Sequence, residues 1–149
     1  ENVTISGNAA REPDNSGGQG AGIMVGTSDP VSLRNVTVAN NIARFQGGRF
    51  SGNGDSTTLI NSIFYNNVAE NNGNPWDIKH HTTAQLKDGG GNYQWPAKNP
   101  NDSTDLNVTG AVTVADLTLG ELTRNGECGP RYHPVPEESA AAGSGAGPY

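Results

Sequence analysis

The stretch Asn35-Val-Thr-Val-Ala-Asn-Asn-Ile-Ala43 can be laid without a gap over two other parts of the chain, Asn2-Val-Thr-Ile-Ser-Gly-Asn-Ala-Ala10 and Asn61-Ser-Ile-Phe-Tyr-Asn-Asn-Val-Ala69. The three stretches start 33 and 26 residues apart. A repeat of this length is typical of stacked architectures, in which each turn of the chain contributes the same side chain to a shared column. The repeat therefore predicts the fold. It does not predict the function, because such a fold occurs in scaffolds, adhesive surfaces and sugar-processing enzymes.

Alternation of apolar residues locates a strand and a bend in each repeat. Val36 and Val38 are two residues apart and so point to the same side of a strand. Leu33 in the preceding strand has the opposite parity, so the chain must turn between Leu33 and Val36 if these side chains are all to be buried. Asparagine tolerates the left-handed conformation that such a bend needs, and stacked asparagine amides can pair between neighbouring strands. We therefore expect structural asparagine corners in two columns of the repeat: Asn35 and Asn61 in the first, and Asn8, Asn41 and Asn67 in the second.

Composition agrees with a chain of many bends around a thin core. The 149 residues include 21 glycines and nine prolines, and hydrophobic residues make up only 32%. We expect an all-β chain built as a parallel β-helix of about three coils. The coils are placed in residues 1–95, and an irregular C-terminal closing region that ends in a flexible Ser/Ala/Gly tail is placed in residues 96–149.

Charge and residue usage exclude several classes of partner. The net charge of −6 disfavours nucleic acid, because binding it needs a basic footprint. No apolar run is long enough to cross a bilayer, so we expect no membrane insertion. The one cysteine, Cys128, excludes an intrachain disulfide. We expect no cofactor and no metal site, with Ca²⁺ as the one ion for which loop oxygens are available, near Asp14-Asn15, Asp55 and residues 99–105.

Two parts of the sequence resemble known families. The Asn-Val-Thr-Ile and Asn-Val-Thr-Val cores resemble the right-handed parallel β-helix repeats of the pectate-lyase superfamily. The run Ala115-Asp-Leu-Thr-Leu-Gly-Glu-Leu-Thr-Arg-Asn-Gly126, followed by Gly129-Pro130, His133 and residues 139–143, is similar to the C-terminal signature of the bacterial choice-of-anchor Q surface proteins. This resemblance implies that the β-helix is right-handed. It also implies a bacterial protein that is secreted or exposed at the cell surface, with a structural or adhesive role.

The densest set of ionisable residues follows Trp76. Asp77, Lys79 and His80 are the candidate catalytic residues, because enzymes on this fold combine a basic residue with carboxylates to process sugar chains. His81 makes a pair with His80, but neighbouring residues of a strand point to opposite faces, so both imidazoles do not easily meet one metal ion. No second cluster completes a mechanism, which favours a protein that is not an enzyme without deciding the question.

Aromatic residues supply the candidate binding positions. An exposed ring can stack on a polysaccharide or bury itself in a partner protein. Tyr65 has outward parity beside the inward-pointing Phe64, so we expect its ring at the surface. The candidate binding residues are Tyr65, Trp76, Tyr93 and Trp95.

The sequence favours a non-catalytic secreted or surface-exposed β-helix module with a structural, adhesive or assembly role. One alternative is a polysaccharide lyase, epimerase or hydrolase whose active face lies mostly on coils outside this chain. Another is a subunit of a larger extracellular assembly that docks through the open edge of the first coil, since an unpaired strand edge invites strand addition. We expect further coils before Glu1, or another polypeptide, to cover that edge.

Overall fold

The structure, a computed structural model, describes residues 1–14, 17–45 and 50–145. The described residues form short strands and two single-turn 3₁₀ segments, Gly54–Ser56 and Asn71–Gly73. In chain order the strands are β1 (Val3–Ser6), β2 (Ala9–Ala10), β3 (Ile23–Val25), β4 (Val31–Arg34), β5 (Val36–Ala39), β6 (Ile42–Ala43), β7 (Phe50–Gly52), β8 (Thr57–Ile60), β9 (Ile63–Tyr65), β10 (Val68–Ala69), β11 (Lys87–Asp88), β12 (Tyr93–Trp95), β13 (Thr113–Val114), β14 (Thr123–Arg124) and β15 (Arg131–Tyr132).

Equivalent strands of successive repeats pair side by side and in parallel. The largest sheet has the order β1-β5-β9-β12-β13. Two three-stranded sheets have the orders β2-β6-β10 and β4-β8-β11, and β3 pairs with β7. In the first two repeats the chain visits the four sheets in the same sequence and then returns to the first sheet one strand further along. The predicted all-β chain with stacked parallel strands is thereby confirmed.

Pairing follows the register of the sequence repeat. Val3 lies beside Val36 and Ile5 beside Val38, and Val38 in turn lies beside Phe64. The amide of Val36 donates to the hydroxyl oxygen of Ser62 at 3.1 Å, which places these two residues in one column. Side chains at equivalent positions therefore lie over one another, as the gapless superposition of the three stretches predicts.

The interior between the sheets is narrow and becomes polar towards β13. Its apolar part is a cluster of buried residues: Val25, Val36, Val38, Leu59, Phe64, Leu86 and Val108. Beyond Phe64 the same columns hold Asn92 and Gln94, which are also buried. Asn92 Nδ2 donates to the Leu59 carbonyl at 2.8 Å, and Gln94 Oε1 accepts from the Val108 amide at 2.9 Å. Because buried amides need partners, these bonds allow polar residues to continue the core.

Asparagines in the left-handed conformation make the bends. Asn35 and Asn61 have φ values of 53° and 47°, and Asn35 Nδ2 donates to Asn2 Oδ1 at 2.9 Å. At the second bend the left-handed residues are Asn40 and Asn66, each one position before an asparagine of the second column. The three second-column residues, Asn8, Asn41 and Asn67, instead use their side chains as a hydrogen-bonded ladder, which we call the asparagine ladder.

The five-stranded sheet continues beyond the predicted boundary at residue 95, because β13 pairs with β12 in parallel. Residues 115–145, which we call the strap, then lie over the outer face of this sheet. Leu117 of the strap is fully buried against Tyr65 and Tyr93, and β14 and β15 form an antiparallel pair within the strap. Ala141, in the segment predicted to be a flexible tail, packs against the same cluster. The last four residues, 146–149, lie outside the described residues.

Candidate functional site

The candidate catalytic residues lie in the connection between β10 and β11. Lys79 Nζ is 3.2 Å from Asp77 Oδ1, and both side chains are partly exposed. The ring of His80 faces β10, where Nδ1 accepts a hydrogen bond from the Ala69 amide at 3.3 Å. The His80 ring therefore holds this connection against β10.

Two carboxylates that are distant in sequence bond to the main chain of the same connection. Asp102 accepts from the Ile78 amide at 3.1 Å, and also from the amide and hydroxyl of Thr104. The Thr104 donors lower the pKa of Asp102 below its ordinary value, since they stabilise the carboxylate. Asp105 accepts from the amides of His80 and Asn99, at 3.1 and 2.8 Å. These carboxylates therefore shape the connection by accepting main-chain hydrogen bonds.

In the part of the chain that the structure describes, no three His, Cys, Asp or Glu side chains converge so that they could hold a metal ion. The oxygens considered for Ca²⁺ at residues 99–105 include those of Asp102 and Asp105, which accept the main-chain bonds given above. Asn15, considered for the same ion together with Asp14, lies outside the described residues.

His81 differs from its neighbour His80. It is fully buried, and neither ring nitrogen has a hydrogen-bond partner among the described residues. The two imidazoles therefore have separate surroundings and do not form a joint site, in agreement with the alternation of side chains along an extended chain.

Three of the four candidate binding aromatics lie beneath the strap. Tyr65 points outward from its strand, but the expectation that its ring is exposed is wrong, because Leu117 covers it. The Tyr65 hydroxyl donates to Asp116 Oδ1 at 2.9 Å, and the Tyr93 hydroxyl donates to the Ala140 carbonyl at 2.7 Å. Trp95 packs against the same cluster. The two-residue alternation of a strand predicts which face of the sheet a side chain points to, but it does not predict which other segment of the chain packs on that face.

Trp76 is the candidate aromatic that remains at the surface, with 62% of its area exposed. Its carbonyl accepts a hydrogen bond from Asn71 Nδ2 at 2.5 Å, so the main chain beside the ring is fixed. Of the four rings, Trp76 is therefore the one that is placed to meet a partner directly.

His133 fastens the strap to the first strand, and sequence reasoning did not find this role. Its Nε2 lies 2.7 Å from the Ser6 hydroxyl oxygen, and its Nδ1 lies 2.8 Å from the Gly120 carbonyl. A carbonyl can only accept, so Nδ1 carries a proton, and in the neutral imidazole Nε2 accepts from the Ser6 hydroxyl. No periodicity in the sequence links residues as distant as Ser6 and His133, so no signal there could have identified the pair.

The buried hydroxyl of Tyr65 predicts a specific alkaline sensitivity. Burial, and then the hydrogen bond and negative charge of Asp116, raise its pKa above the ordinary 10.0. Because the pKa is higher in the folded chain than in the unfolded chain, the stabilisation is complete below about pH 10 and is lost as pH rises through the folded value. In urea denaturation we expect the free energy of unfolding to fall above about pH 10, and to fall less in Tyr65→Phe. Tyr132→Phe, at an exposed tyrosine, is expected to retain the full alkaline loss.

Two of the clefts at the surface of the described residues are larger than 400 Å³. One, of about 490 Å³, lies between the strap and the second bend and is lined by residues that include Asn40, Glu121 and His133. The other, of about 410 Å³, lies on the outer face of β2-β6-β10 beside the Arg44–Glu70 ion pair, whose atoms are 2.7 Å apart. Both clefts are open, and neither contains the Asp77, Lys79 and His80 set.

The first repeat leaves one end of the stack open. β1, β2, β3 and β4 are each the edge strand of their sheet. Val3 is 44% exposed, whereas Val36, its neighbour in the same column, is 3% exposed. The interior of the stack therefore reaches solvent at this end, which we call the open end.

The main chain of β1 is also unpaired on its outer side. The Gly7 amide donates to the Ala39 carbonyl at 3.2 Å. Because main-chain groups alternate in direction along a strand, Val3 and Ile5, which have the same parity as Gly7, also turn their N–H and C=O groups towards β5. Thr4 and Ser6 consequently direct their N–H and C=O groups away from β5. A further strand beside β1 would find these four groups in position to pair.

The described residues contain no helix that is both long enough and apolar enough to span a bilayer. Comparisons with family models, with curated proteins and with solved structures find no match to this chain.

Proposed function

We propose that the chain is a non-catalytic, right-handed parallel β-helix module of a bacterial protein that is secreted or exposed at the cell surface, where it joins to another layer of β-structure. Right-handedness is supported by the general rule that about 98% of crossovers between parallel strands of one sheet have this hand. The successive returns of the chain to the five-stranded sheet are crossovers of this kind. The location is supported by the resemblance of residues 115–143 to the closing signature of choice-of-anchor Q surface proteins.

The open end is the observation that carries the proposal. The edge strands of four sheets, β1 to β4, lie at this end of the stack, and the apolar column that begins at Val3 is uncovered. Proteins usually protect such edges with charges, prolines or a covering segment. β1 has none of these within its four residues, Val-Thr-Ile-Ser. The unprotected edge of β1 favours a joint over a free surface.

The surroundings of the ionisable residues favour a role without catalysis. His80 Nδ1 accepts from the Ala69 amide of β10, Asp105 accepts from the amides of His80 and Asn99, and Lys79 lies beside Asp77. The alternative of a polysaccharide lyase, epimerase or hydrolase requires that these groups act on a uronate-rich chain. We expect no product from such polysaccharides, and we expect Lys79→Ala to change the free energy of unfolding by less than about 0.5 kcal/mol. Turnover that is abolished by Lys79→Ala would establish the enzyme instead.

The joint is tested by the association of the chain with itself. Two open ends can pair antiparallel across a two-fold axis, so sedimentation over a concentration series should detect association. Thr4→Pro removes an N–H on the open side of β1, and the ring of proline blocks an added strand, while the bonds to β5 remain. We expect the association constant to fall at least tenfold in this variant.

Val114→Pro is the matched control, because Val114 lies in β13 at the other edge of the same sheet. Thr113 and Ala115 donate to β12, so the Val114 amide faces away from it. This variant should associate like the unaltered chain. A chain that remains monomeric at every concentration, with slow amide exchange throughout β1–β4, would contradict the proposed joint.

A further inference from the structure

The hydrogen bonds that join one asparagine of the ladder to the next all run in the same direction along the stack. Asn8 donates from its main-chain N and from Nδ2 to Asn41 Oδ1, at 3.0 and 2.9 Å. Asn41 donates in the same way to Asn67 Oδ1, at 2.9 and 2.8 Å. A main-chain N–H can only donate, so the side-chain atom that it meets must be the oxygen, and this fixes the orientation of each amide. Each layer therefore gives two hydrogens to the layer on its β13 side.

At the open end this direction leaves an acceptor without a donor. Asn41 Oδ1 and Asn67 Oδ1 each receive two hydrogens, whereas Asn8 Oδ1 accepts none from the described residues. Asn8 is exposed, while Asn41 and Asn67 are buried. Asn8 Oδ1 is therefore placed to accept two hydrogens from a further layer, as Asn41 Oδ1 and Asn67 Oδ1 accept them from the layers before them.

We propose that the open end receives one further repeat of the same kind, whose ladder asparagine donates its main-chain N–H and its Nδ2–H to Asn8 Oδ1. This inference rests on the proposed function, because it names the occupant of the proposed joint. Asparagine is the residue that supplies both donors with the spacing seen at Asn41. An aliphatic residue of the same repeat covers Val3, as Val3 itself lies beside Val36.

Glu1 shows where such a repeat joins the stack. The Asn2 amide donates to the Arg34 carbonyl, and the Asn35 amide donates to the Ile60 carbonyl. Glu1 therefore occupies the column of Arg34 and Ile60, which pair with each other in β4 and β8. A segment that leads into Glu1 would lie beside β4 and would place the added ladder asparagine over Asn8.

A second copy of the chain does not offer this layer from its opposite end. There the connection between β10 and β11 already lies against β10, because the Ala69 amide donates to the ring of His80 at 3.3 Å. The occupant must present its ladder asparagine on an uncovered strand edge, and β10 does not offer one.

The experiment supplies the missing layer directly. A copy of residues 35–59 fused to Glu1 keeps the register, because Glu1 then stands in the place of Ile60. In amide hydrogen exchange we expect the N–H groups of Thr4 and Ser6 to exchange at least tenfold more slowly in the fusion than in the unfused chain. Asn41→Ala made in the added copy alone should remove most of this protection. Asn40→Gly made in the copy alone should keep it, since glycine also adopts a positive φ.

Each outcome decides one of the two proposals. Thr4 and Ser6 amides that exchange as fast in the fusion as in the unfused chain would overturn the inference, and so would equal protection in the Asn41→Ala and Asn40→Gly copies. If β1-dependent association of the unfused chain is seen together with either result, the joint stands and only the identity of its occupant is wrong. If that association is absent as well, the proposed function fails with the inference.

Discussion

Replacing Asn41 by alanine is expected to lower the free energy of unfolding by about 3–5 kcal/mol, a large part of the roughly 5–15 kcal/mol that holds a domain folded. Asn41 is fully buried at the centre of the asparagine ladder. Its Oδ1 accepts two hydrogens from Asn8, and its Nδ2 donates to Asn67 Oδ1 and to the Ile5 carbonyl at 3.0 Å. Alanine removes the acceptor of both Asn8 donors and the side-chain donor to Asn67 and Ile5, so that Asn67 Oδ1 keeps only the main-chain N–H of residue 41. Buried groups that lose a partner carry a desolvation penalty. Urea denaturation followed by circular dichroism measures the loss.

Two matched variants separate the ladder from other effects of the substitution. Asn40→Gly changes the adjacent residue, which is exposed and has φ 55°, so it removes an amide and leaves the left-handed backbone unstrained. We expect a change below about 0.5 kcal/mol for this variant. Asn41→Asp keeps the acceptor for Asn8 but removes the donor to Asn67 and buries a charge, so it should be at least as harmful as alanine. A loss below about 1 kcal/mol for both Asn41 variants would show that the ladder is not a main source of stability.

The bends and the stacking could be predicted from the sequence because each depends on short-range rules. The opposite parities of Leu33 and Val36 require a turn between them, and the backbone at Asn35 has φ 53°. Aligning the repeats without gaps gives the register directly, so Val3 beside Val36 follows from counting. Local sterics and the two-residue period of a strand suffice for these features.

The strap could not be predicted in the same way, because its contacts have no period. Tyr65 pairs with Asp116 and Ser6 with His133, across separations of 51 and 127 residues. The sequence shows that Tyr65 points away from the interior, and only tertiary structure shows that Leu117 lies over it. Asp77, Lys79 and His80 are neighbours in the sequence, and this alone does not show that their side chains act together. The structure adds that His80 bonds to main chain in β10, which sequence proximity does not indicate.

Removing the side chain of Leu117 is expected to loosen the strap while the parallel sheets remain. Leu117 is fully buried between the strap and the five-stranded sheet, so Leu117→Ala should cost about 2–4 kcal/mol of the free energy that holds the strap in place. Trp95 packs in this cluster and reports its hydration. In a Trp76→Phe background Trp95 is the sole tryptophan, since the chain has two. We expect red-shifted emission and stronger quenching by iodide, with little change in far-ultraviolet circular dichroism.

Leu122→Ala in the same background provides the control, because Leu122 belongs to the strap but is 37% exposed. It should cost less than about 1 kcal/mol and leave the emission of Trp95 unchanged. If Leu117→Ala also left emission and quenching unchanged, the strap would not depend on this contact. If its red shift appeared only together with loss of the β signal, the strap and the sheets would unfold as one unit. A red shift that precedes loss of the sheets would mean that the aromatic face of Tyr65, Tyr93 and Trp95 can be uncovered without unfolding the stack, because the hydrogen bonds between β5, β9 and β12 do not involve the strap.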